Sequence, residues 1–372
     1  MYIQSIELSD YRNYRQLNIE FDENVNILYG DNAQGKTNIL ESLYLCGTNK
    51  SHRGSRDSDI IRFGMNESHI KMFVRKNNVS HRIDMHLKKG RSKGIAVNGI
   101  PLKKASELFG IVNIIFFSPE DLYIIKNGPS ERRKFIDMEL SQIDKIYMNN
   151  LIKYNKIINQ RNKLLKDINF YRDSSLENTM DAWDEQLVIY AIDIIRRREK
   201  FIEELNDIIE DIHWKLSGEK EKLGLKYEPN TLADDMWRKL HDTRERDIRQ
   251  KTTSCGPHRD DIGFFINDID VRRFGSQGQQ RTSALSLKLS EIEIVKKITH
   301  DIPVLLLDDV LSELDINRQN QLINSLDGIQ TIVSCTGLDE FIENKVNAAR
   351  IYRISNGSAK LVTASRQLRN GV

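Results

Sequence analysis

Residues 30–37 of this chain read GDNAQGKT and fit the pattern Gly-x-x-x-x-Gly-Lys-Ser/Thr. In that pattern, N–H groups of a glycine-rich loop surround phosphates, and the loop joins a strand to a helix. The preceding run VNILY (25–29) is short and rich in β-forming residues, and apolar side chains at helical spacing follow from Ile39 to Tyr44. A glycine-rich turn that matches by chance is the alternative, but it leaves the flanking strand and helix unexplained. The stretch therefore predicts a P-loop that binds a nucleoside triphosphate.

The residues of this loop have distinct predicted roles. Lys36 is expected to reach the β- and γ-phosphates, and the Thr37 hydroxyl is expected to hold Mg²⁺. The amino end of the following helix adds partial positive charge on the phosphate side. The predicted nucleotide-binding set is Gly30, Asp31, Asn32, Ala33, Gln34, Gly35, Lys36, Thr37 and Asn38.

Composition narrows the class of protein. Of the 372 residues, 39% are apolar and 30% are charged, as in a globular protein with a sizeable core. No run of about 18 apolar residues is available to span a membrane, and the first residues lack the apolar core of a signal peptide, so we expect a cytoplasmic protein. Cys46, Cys255 and Cys335 are too far apart to indicate a disulfide framework or a zinc motif.

Charge gives a weaker signal. The net charge of +2 provides no overall electrostatic argument for nucleic acid. Basic residues do cluster at three places, and each cluster either contacts DNA or forms a solvated face. The clusters are Lys88, Lys89, Arg91 and Lys93; Arg132, Arg133 and Lys134; and Arg196, Arg197 and Arg198.

The pattern along the chain indicates an α/β domain interrupted by helices. Residues 1–125 read mostly as strands, residues 126–250 are mainly helical, and strand character returns within residues 251–372. In the middle segment, apolar residues at spacings of three, four and seven predict amphipathic helices over 147–168 and 187–212. These helices form either an antiparallel hairpin or the core of an ordinary helical domain.

Two Asn-Gly pairs mark predicted hairpin turns. Asn98-Gly99 interrupts the run IAVNGIPL, and Asn356-Gly357 separates two strand-like runs near the end of the chain. Asn and Gly both adopt positive φ readily, which two-residue hairpin turns require. We therefore expect each pair to connect two antiparallel strands.

The run PVLLLDD, residues 303–309, has the composition of a buried strand that ends in carboxylates. A carboxylate in that position can hold the magnesium of a P-loop, so Asp308 is predicted to share the metal with Thr37. Asp309 is placed to orient or deprotonate an attacking water, although a plain strand-end cap is the alternative. Lys36, Asp308 and Asp309 are therefore the predicted catalytic residues.

Residues 274–281 read FGSQGQQR and precede a second helical pattern. Ser276, Gly278 and Gln279 place a hydroxyl, a glycine and free N–H groups at a helix start, which is an anion-binding arrangement. The motif resembles the signature motif of ATP-binding-cassette (ABC) ATPases, which contacts the γ-phosphate held by the other protomer of a dimer. The run LSELD, residues 311–315, resembles the D-loop of the same class, which lies at that interface.

Further motifs along the chain narrow the class of ATPase. The interval between Gly30 and Ser276 is longer than in a transporter subunit and far shorter than the coiled coil of chromosome-maintenance (SMC) ATPases. The motifs are DYRNY (10–14), GDNAQGKTN (30–38), KSHR (50–53), FSPEDL (117–122), Gly128-Pro129 with Arg132-Arg133, GPHRDD (256–261) and the signature with its Asp-Asp strand. With these motifs, nearly the whole chain resembles the RecF family of bacterial recombination mediators.

This resemblance implies a fold, cofactors and partners. The implied fold class is α/β: an ABC-type ATPase head (a P-loop NTPase) with an inserted, mainly helical lobe that contains a short helical hairpin. ATP and Mg²⁺ are the implied cofactors, and Arg12 and Asn13 are implied to lie near the nucleotide. The implied function is that of an ATP-dependent homodimer that binds duplex or gapped DNA and acts with RecO and RecR to load the RecA recombinase.

Three functions fit these motifs. The protein is an enzyme whose product is ATP turnover, a DNA clamp for which ATP acts as a timer, or an SMC-like head that tethers DNA. The short insertion argues against the tether, and the signature motif argues against a monomeric phosphotransferase. Aspartate at position 309, where ABC ATPases usually carry glutamate, is shorter by one methylene and favours slow hydrolysis. We therefore expect a weak, DNA-stimulated ATPase that acts as a switch.

Overall fold

The computed structural model of the chain describes residues 1–171, 179–337 and 348–364. The chain forms two compact units. The first unit combines Met1–Asp121 with Glu291–Val372, and the second unit is the intervening segment Leu122–Ser290. The signature-like motif at Ser276 thus belongs to the second unit. The three segments proposed from the sequence, residues 1–125, 126–250 and 251–372, stay predictions.

Strands dominate the first unit and recur in the second. The described residues form strands β1 (Tyr2–Tyr11), β2 (Tyr14–Glu20), β3 (Val25–Tyr29), β4 (Glu67–Lys76), β5 (Val79–Lys88), β6 (Gly94–Val97), β7 (Ile100–Pro101), β8 (Ile114–Phe117), β9 (Leu223–Glu228), β10 (Asp261–Ile266), β11 (Ile269–Asp270), β12 (Val304–Asp308), β13 (Thr331–Cys335), β14 (Ala348–Ser355) and β15 (Ser358–Ala364).

The helices that the described residues form differ widely in length. They are α1 (Lys36–Thr48), α2 (Asp57–Ile60), α3 (Leu122–Lys126), α4 (Pro129–Ile143), α5 (Lys145–Tyr171), α6 (Met180–Leu216), α7 (Met236–Asp242), α8 (Arg244–Gln250), α9 (Val271–Phe274), α10 (Gln277–Thr299) and α11 (Ile316–Asn324). Short 3₁₀ turns lie at Ala105–Leu108, Pro119–Asp121, Pro257–Arg259 and Leu311–Glu313.

Two six-stranded sheets form the frame of the first unit. One sheet is antiparallel in the order β2-β1-β4-β5-β6-β7. The other has the order β15-β14-β3-β13-β12-β8, and all its neighbours are parallel except β15 with β14. Since parallel strands place their carboxyl ends at one edge, the second sheet gathers the residues that follow β3, β12 and β13.

Burial explains why these segments are strands. In β4, Ile70, Met72 and Val74 are buried while the residues between them are more exposed, which is the alternation of a one-sided sheet. All five residues of β12 are buried, as expected for a central parallel strand. The prediction of a buried strand at residues 303–309 is therefore confirmed.

Both Asn-Gly pairs form the hairpin turns that the sequence predicts. Asn98 and Gly99 have φ of 53° and 82°, and they connect β6 to β7. Asn356 and Gly357 have φ of 47° and 71°, and they connect β14 to β15. Positive φ at both positions is the geometry that selects these two residue types.

The second unit contains the long helices α5 and α6 and a small sheet of order β11-β10-β9. Polar contacts pair Asp144 with Arg197 and Asn150 with Asp193. Residue numbers therefore increase along one segment where they decrease along the other. The two helices thus form an antiparallel hairpin. Of the two alternatives that the sequence left open, the hairpin is confirmed. At 1.5 Å per residue, the helices are about 40 and 55 Å long. Strand β9 was not predicted.

A buried ion network fixes this hairpin to the residues that follow it. Arg161 of α5 is fully buried and donates to Asp184 of α6 at 2.7 Å, to Asp247 of α8 at 2.8 Å and to the Thr253 hydroxyl at 3.0 Å. Buried charges are tolerated only when paired in this way, so the network specifies the packing of these helices.

Arg161→Met is expected to destabilise the protein by about 3–5 kcal/mol, because it leaves the buried Asp247 carboxylate without its cation. The midpoint of urea unfolding, followed by far-UV circular dichroism, measures the change. Lys200→Met is the matched control, since Lys200 lies on α6 with 76% of its side chain exposed. Its exposed pair with Glu204 contributes at most about 1 kcal/mol. Equal effects of the two substitutions would contradict the network's role.

Candidate nucleotide-binding site

The P-loop runs from the end of β3 to the start of α1, as the sequence predicts. Gly30 and Gly35 have φ of +153° and +109°. A Cβ at Gly30 would lie 2.3 Å from the Ile354 carbonyl oxygen, and one at Gly35 would lie 2.5 Å from the Tyr14 hydroxyl oxygen. Both the backbone conformation and the close approach of neighbouring groups therefore require glycine at these two positions.

The amino end of α1 is open toward this loop. Gly35 caps the helix and has no side chain to bond the first N–H groups. Lys36 is 6% exposed, and its Nζ donates to the carbonyl oxygens of Gly30 at 2.5 Å and Asp31 at 2.9 Å. The ammonium thus lies across the loop. The ammonium and the amino end of α1 both add positive charge to the space inside the loop.

Two oxygen ligands meet at the end of the loop. The Thr37 hydroxyl donates to Oδ1 of Asp308 at 2.9 Å, although the two residues are 271 positions apart. Hydroxyl and carboxylate oxygens are the donors that Mg²⁺ prefers. Adjacent ligands in an octahedron with bonds of about 2.1 Å are about 3.0 Å apart, close to this distance, so the pair fits two neighbouring magnesium positions.

Sheet register explains why Asp308 lies at this point. Asp308 of β12 is opposite Ser334 of β13, and Cys335 of β13 is opposite Tyr29 of β3, the residue before the loop. The Ser334 hydroxyl donates to the same Oδ1 of Asp308 at 2.6 Å and so orients the carboxylate. Ser334 was missed in the sequence, although a hydroxyl at the end of the buried run QTIVSC was available as a signal.

Asp309 follows β12 in a left-handed conformation, with φ of 54°. Its N–H is held by Ser334, through the carbonyl oxygen at 3.2 Å and the hydroxyl at 3.1 Å. Aspartate is one of the few non-glycine residues that tolerate this conformation. The backbone therefore holds Asp309 in one place beside Asp308, while its predicted action on water stays a prediction.

Asn13 contacts the loop directly. Its Nδ2 donates to the Gln34 carbonyl oxygen at 3.0 Å, and its Oδ1 accepts from Asn38 at 2.9 Å. Gln34 in turn accepts from the N–H of Asn356 at 2.8 Å, so the final hairpin also braces the loop. The structure therefore brings Asn13, Gln34 and Asn38 together, while the nearness of Asn13 to a nucleotide stays a prediction.

Arg12 pairs with an acidic residue of the helix that follows the loop. Its guanidinium bonds both oxygens of Glu41 in α1, at 2.8 and 2.6 Å. The hydrogen bond with Glu41 raises the pKa of Arg12. Burial works to raise the pKa of Glu41, but hydrogen bonds from Arg12 and Ser51 outweigh it and lower that pKa. The pair is thus charged and fixes the DYRNY segment to α1, while a direct contact of Arg12 with nucleotide stays a prediction.

The signature-like motif forms a reciprocal cap at the start of α10. The N–H of Ser276 donates to Oε1 of Gln279 at 2.8 Å, and the N–H of Gln279 donates to the Ser276 hydroxyl at 3.2 Å. Ser276 is exposed, and Gly278 and Gln279 are half-buried. The Ser276 hydroxyl keeps its proton as a donor for an anion, so a cap and an anion contact are compatible.

Two of the three basic clusters each contain one arginine that is buried inside the protein. Arg132 is buried and bonds both oxygens of Asp261, at 2.6 and 3.0 Å. Arg198 is also buried and pairs with Asp137 at 2.7 Å and Asp260 at 3.0 Å. Buried guanidinium groups in such pairs hold the fold together and cannot meet DNA phosphates.

Comparison with known proteins identifies the class to which this fold and loop belong. A family model described as the RecF/RecN/SMC N-terminal domain matches residues 2–360. The SMC head domain of Pyrococcus furiosus superposes with a TM-score of 0.57 over 99% of this chain and 98% of that chain, at 17% identity, and so shares the fold. The predicted fold class, an ABC-type ATPase head with an inserted helical lobe, is confirmed.

Closer relatives narrow the class to one family. A protein of Lachnospira eligens named DNA replication and repair protein RecF is 62% identical over 357 residues, which is 96% of this chain and 98% of that protein. Its namesake in Clostridium perfringens is 43% identical over 96% of this chain and 99% of that protein. A solved structure described as recombination mediator protein RecF-ATPrS has a TM-score of 0.90 at 36% identity, over 97% and 98% of the two chains. The chain belongs to the RecF family.

Among the described residues, no helix combines the length and apolar character that are needed to cross a bilayer.

Proposed function

We propose that this chain is an ATP-dependent DNA-binding protein of recombinational repair. The observation that carries the proposal is the meeting of Thr37 and Asp308, 2.9 Å apart, at the end of a loop that also holds Lys36. Solved structures at 36% identity, described as RecF-ATPrS and RecF-ATP, support ATP as the nucleotide. The predicted loop residues from Gly30 to Asn38 then form its phosphate site.

Each group of the site has a separate proposed task. N–H groups of the loop and of the start of α1 bind phosphate oxygens, and the Lys36 ammonium neutralises charge on the β- and γ-phosphates. Thr37 and Asp308 would hold Mg²⁺, which supplies Lewis-acid stabilisation of phosphate charge when it is bound. Ser334 keeps Asp308 oriented, and Asp309 positions the attacking water.

The same proposal includes a dimer and a set of partners. Ser276, Gly278 and Gln279 contact the γ-phosphate of a second protomer, so that ATP joins two chains and hydrolysis releases them. The dimer binds duplex or gapped DNA, and it acts in the cytoplasm with RecO and RecR to place RecA on single-stranded gaps. The description of similar structures as a recombination mediator in the RecFOR pathway supports this part.

The experiment that tests the proposal is an ATPase assay with duplex, single-stranded and gapped DNA at fixed salt. We expect slow basal turnover that is stimulated by duplex or gapped DNA. Fixed salt matters because phosphate contacts weaken steeply as salt rises. ATP turnover that ignores every DNA, together with no ATP-dependent DNA binding, would contradict the switch.

Asp309→Asn is expected to lower ATP turnover by about 10²-fold and to accumulate the ATP-bound state, because the amide cannot act as a base toward water. Asn tolerates the positive φ of this position, so the backbone should be unchanged. Turnover and the nucleotide retained after gel filtration are the measurements. Asp268→Asn is the matched control, since Asp268 has φ of 68° in the turn between β10 and β11. Loss of nucleotide binding in Asp309→Asn would refute the assigned role.

A further inference from the structure

A second group of ligand-type side chains lies on the antiparallel sheet of the first unit. Glu67 and His69 are on β4, and His86 is on β5. One ligand atom of each residue lies within 4.8 Å of the others. The nucleotide site does not include these residues, and the proposed function assigns them no task.

Strand register places the three residues on one face. His69 is directly opposite His86, and Glu67 is directly opposite Lys88, two positions along each strand. Because side chains alternate between the faces of a sheet, Glu67 and His69 point to the same side, and His86 faces them from the next strand. The other face of these strands is the buried core, which holds the backbone positions of the three ligands firmly.

The distances between the side chains suit a metal ion. Nε2 of His86 and Oε2 of Glu67 are 3.2 Å apart, and ligand atoms of a tetrahedral zinc with bonds of about 2.0–2.1 Å are about 3.3 Å apart. The two imidazole rings stack with centroids 4.2 Å apart, so they must turn before a nitrogen of each points to the ion. Two imidazoles and a carboxylate are a preferred zinc ligand set, with a fourth position left for water.

The surroundings leave room for such an ion. Gly94 of β6 is opposite His86 and has no side chain to cover it. His69 and His86 also line an open cavity of about 880 Å³. One neighbour opposes a cation, because the Lys88 ammonium bonds Oε2 of Glu67 at 3.2 Å.

We propose that Glu67, His69 and His86 form a binding site for a divalent transition-metal ion, with Zn²⁺ as the expected ion. The metal links β4 to β5 on the exposed face of the sheet. Lys88 competes with it for the Glu67 carboxylate and so weakens the site. This inference is independent of the proposed function, since it involves neither nucleotide nor DNA.

Titration of the full-length, nucleotide-free protein with Zn²⁺ in excess Mg²⁺, against a chromophoric zinc chelator, tests the site. We expect one Zn²⁺ per chain to be lost in the double variant His69→Gln with His86→Gln. His81→Gln is the matched control, because His81 lies on β5 but on the opposite face, five positions from His86. The cysteines Cys46, Cys255 and Cys335 remain in every variant, so a difference between variants assigns the zinc to this cluster.

Lys88→Gln gives a second measurement, the change in zinc affinity when the competing cation is removed. A cluster that only stabilises the sheet would show no such change. The Lys88 ammonium would lie about 4 Å from an ion on the Glu67 carboxylate, and removing that unit charge beside a divalent ion should tighten zinc binding about 30-fold. Zinc binding that is equal in the native protein and the double histidine variant would overturn the proposal. So would a site that is lost in His81→Gln, or one that is weakened in Lys88→Gln.

Discussion

Lys36→Met is expected to lower ATP turnover by about 10²–10³-fold, the cost of removing one preorganised charge from a phosphate-transfer site. The ammonium lies across the loop on the carbonyl oxygens of Gly30 and Asp31, so it is in place before the phosphates arrive. Methionine is unbranched like lysine and shorter by one atom, and it carries no charge. Steady-state turnover with and without gapped DNA measures the loss.

The control for this prediction is a second lysine near the same helix. Lys50 lies just beyond the carboxyl end of α1 and is exposed, so Lys50→Met removes a cation outside the loop. We expect its turnover to be native. The unfolding midpoint of Lys36→Met without nucleotide should stay close to native, because only two hydrogen bonds to loop carbonyl oxygens are lost. Native turnover in Lys36→Met would show that the loop had been misread.

Much of the site could be predicted because its signals are local. The loop from Gly30 to Thr37 needs two glycines with positive φ and a following helix. Each of these requirements is visible in the sequence within a few residues of the loop. Asp308 could be predicted because a carboxylate at the end of a fully buried strand is rarely found unless it is paired or binds a metal. The Asn-Gly turns are local in the same sense.

Other features could not be predicted because they depend on register between distant segments. Ser334 orients Asp308 only because β13 pairs with β12 in one register, and a shift of one residue would turn the hydroxyl to the other face. Arg12 illustrates the same limit. Its partner Glu41 is 29 positions away, and no spacing in the sequence shows that the pair will meet.

Basic clusters show a further limit of sequence reasoning. Arg132 and Arg198 belong to clusters that are expected either to contact DNA or to form a solvated face, yet both are buried and paired with aspartates. The aspartates that neutralise them, Asp261 and Asp260, come from a motif more than 60 positions away. Charge in a sequence window therefore does not predict charge on a surface.

Ser276→Arg is expected to raise the dissociation constant of the ATP-dependent dimer by at least about 100-fold. In the proposed dimer the Ser276 hydroxyl and neighbouring N–H groups meet a γ-phosphate, and a bulky side chain there would keep the chains apart at both copies of the interface. The P-loop of each chain is unchanged, so monomers should still bind nucleotide. Stable DNA binding should be lost with the dimer, since one chain offers half of the binding surface. Sedimentation with a slowly hydrolysed ATP analogue measures the dimer.

Ser276→Asp separates this contact from the cap that Ser276 forms with Gln279. Aspartate caps helices as well as serine does, so a pure capping role predicts normal behaviour in Ser276→Asp and a loss of about 1 kcal/mol of stability in Ser276→Arg. A phosphate contact predicts instead that both variants fail to dimerise, because the carboxylate repels the γ-phosphate as strongly as arginine obstructs it. Normal ATP-dependent dimers of Ser276→Asp would therefore reject the shared site, and with it the clamp that depends on ATP between two chains.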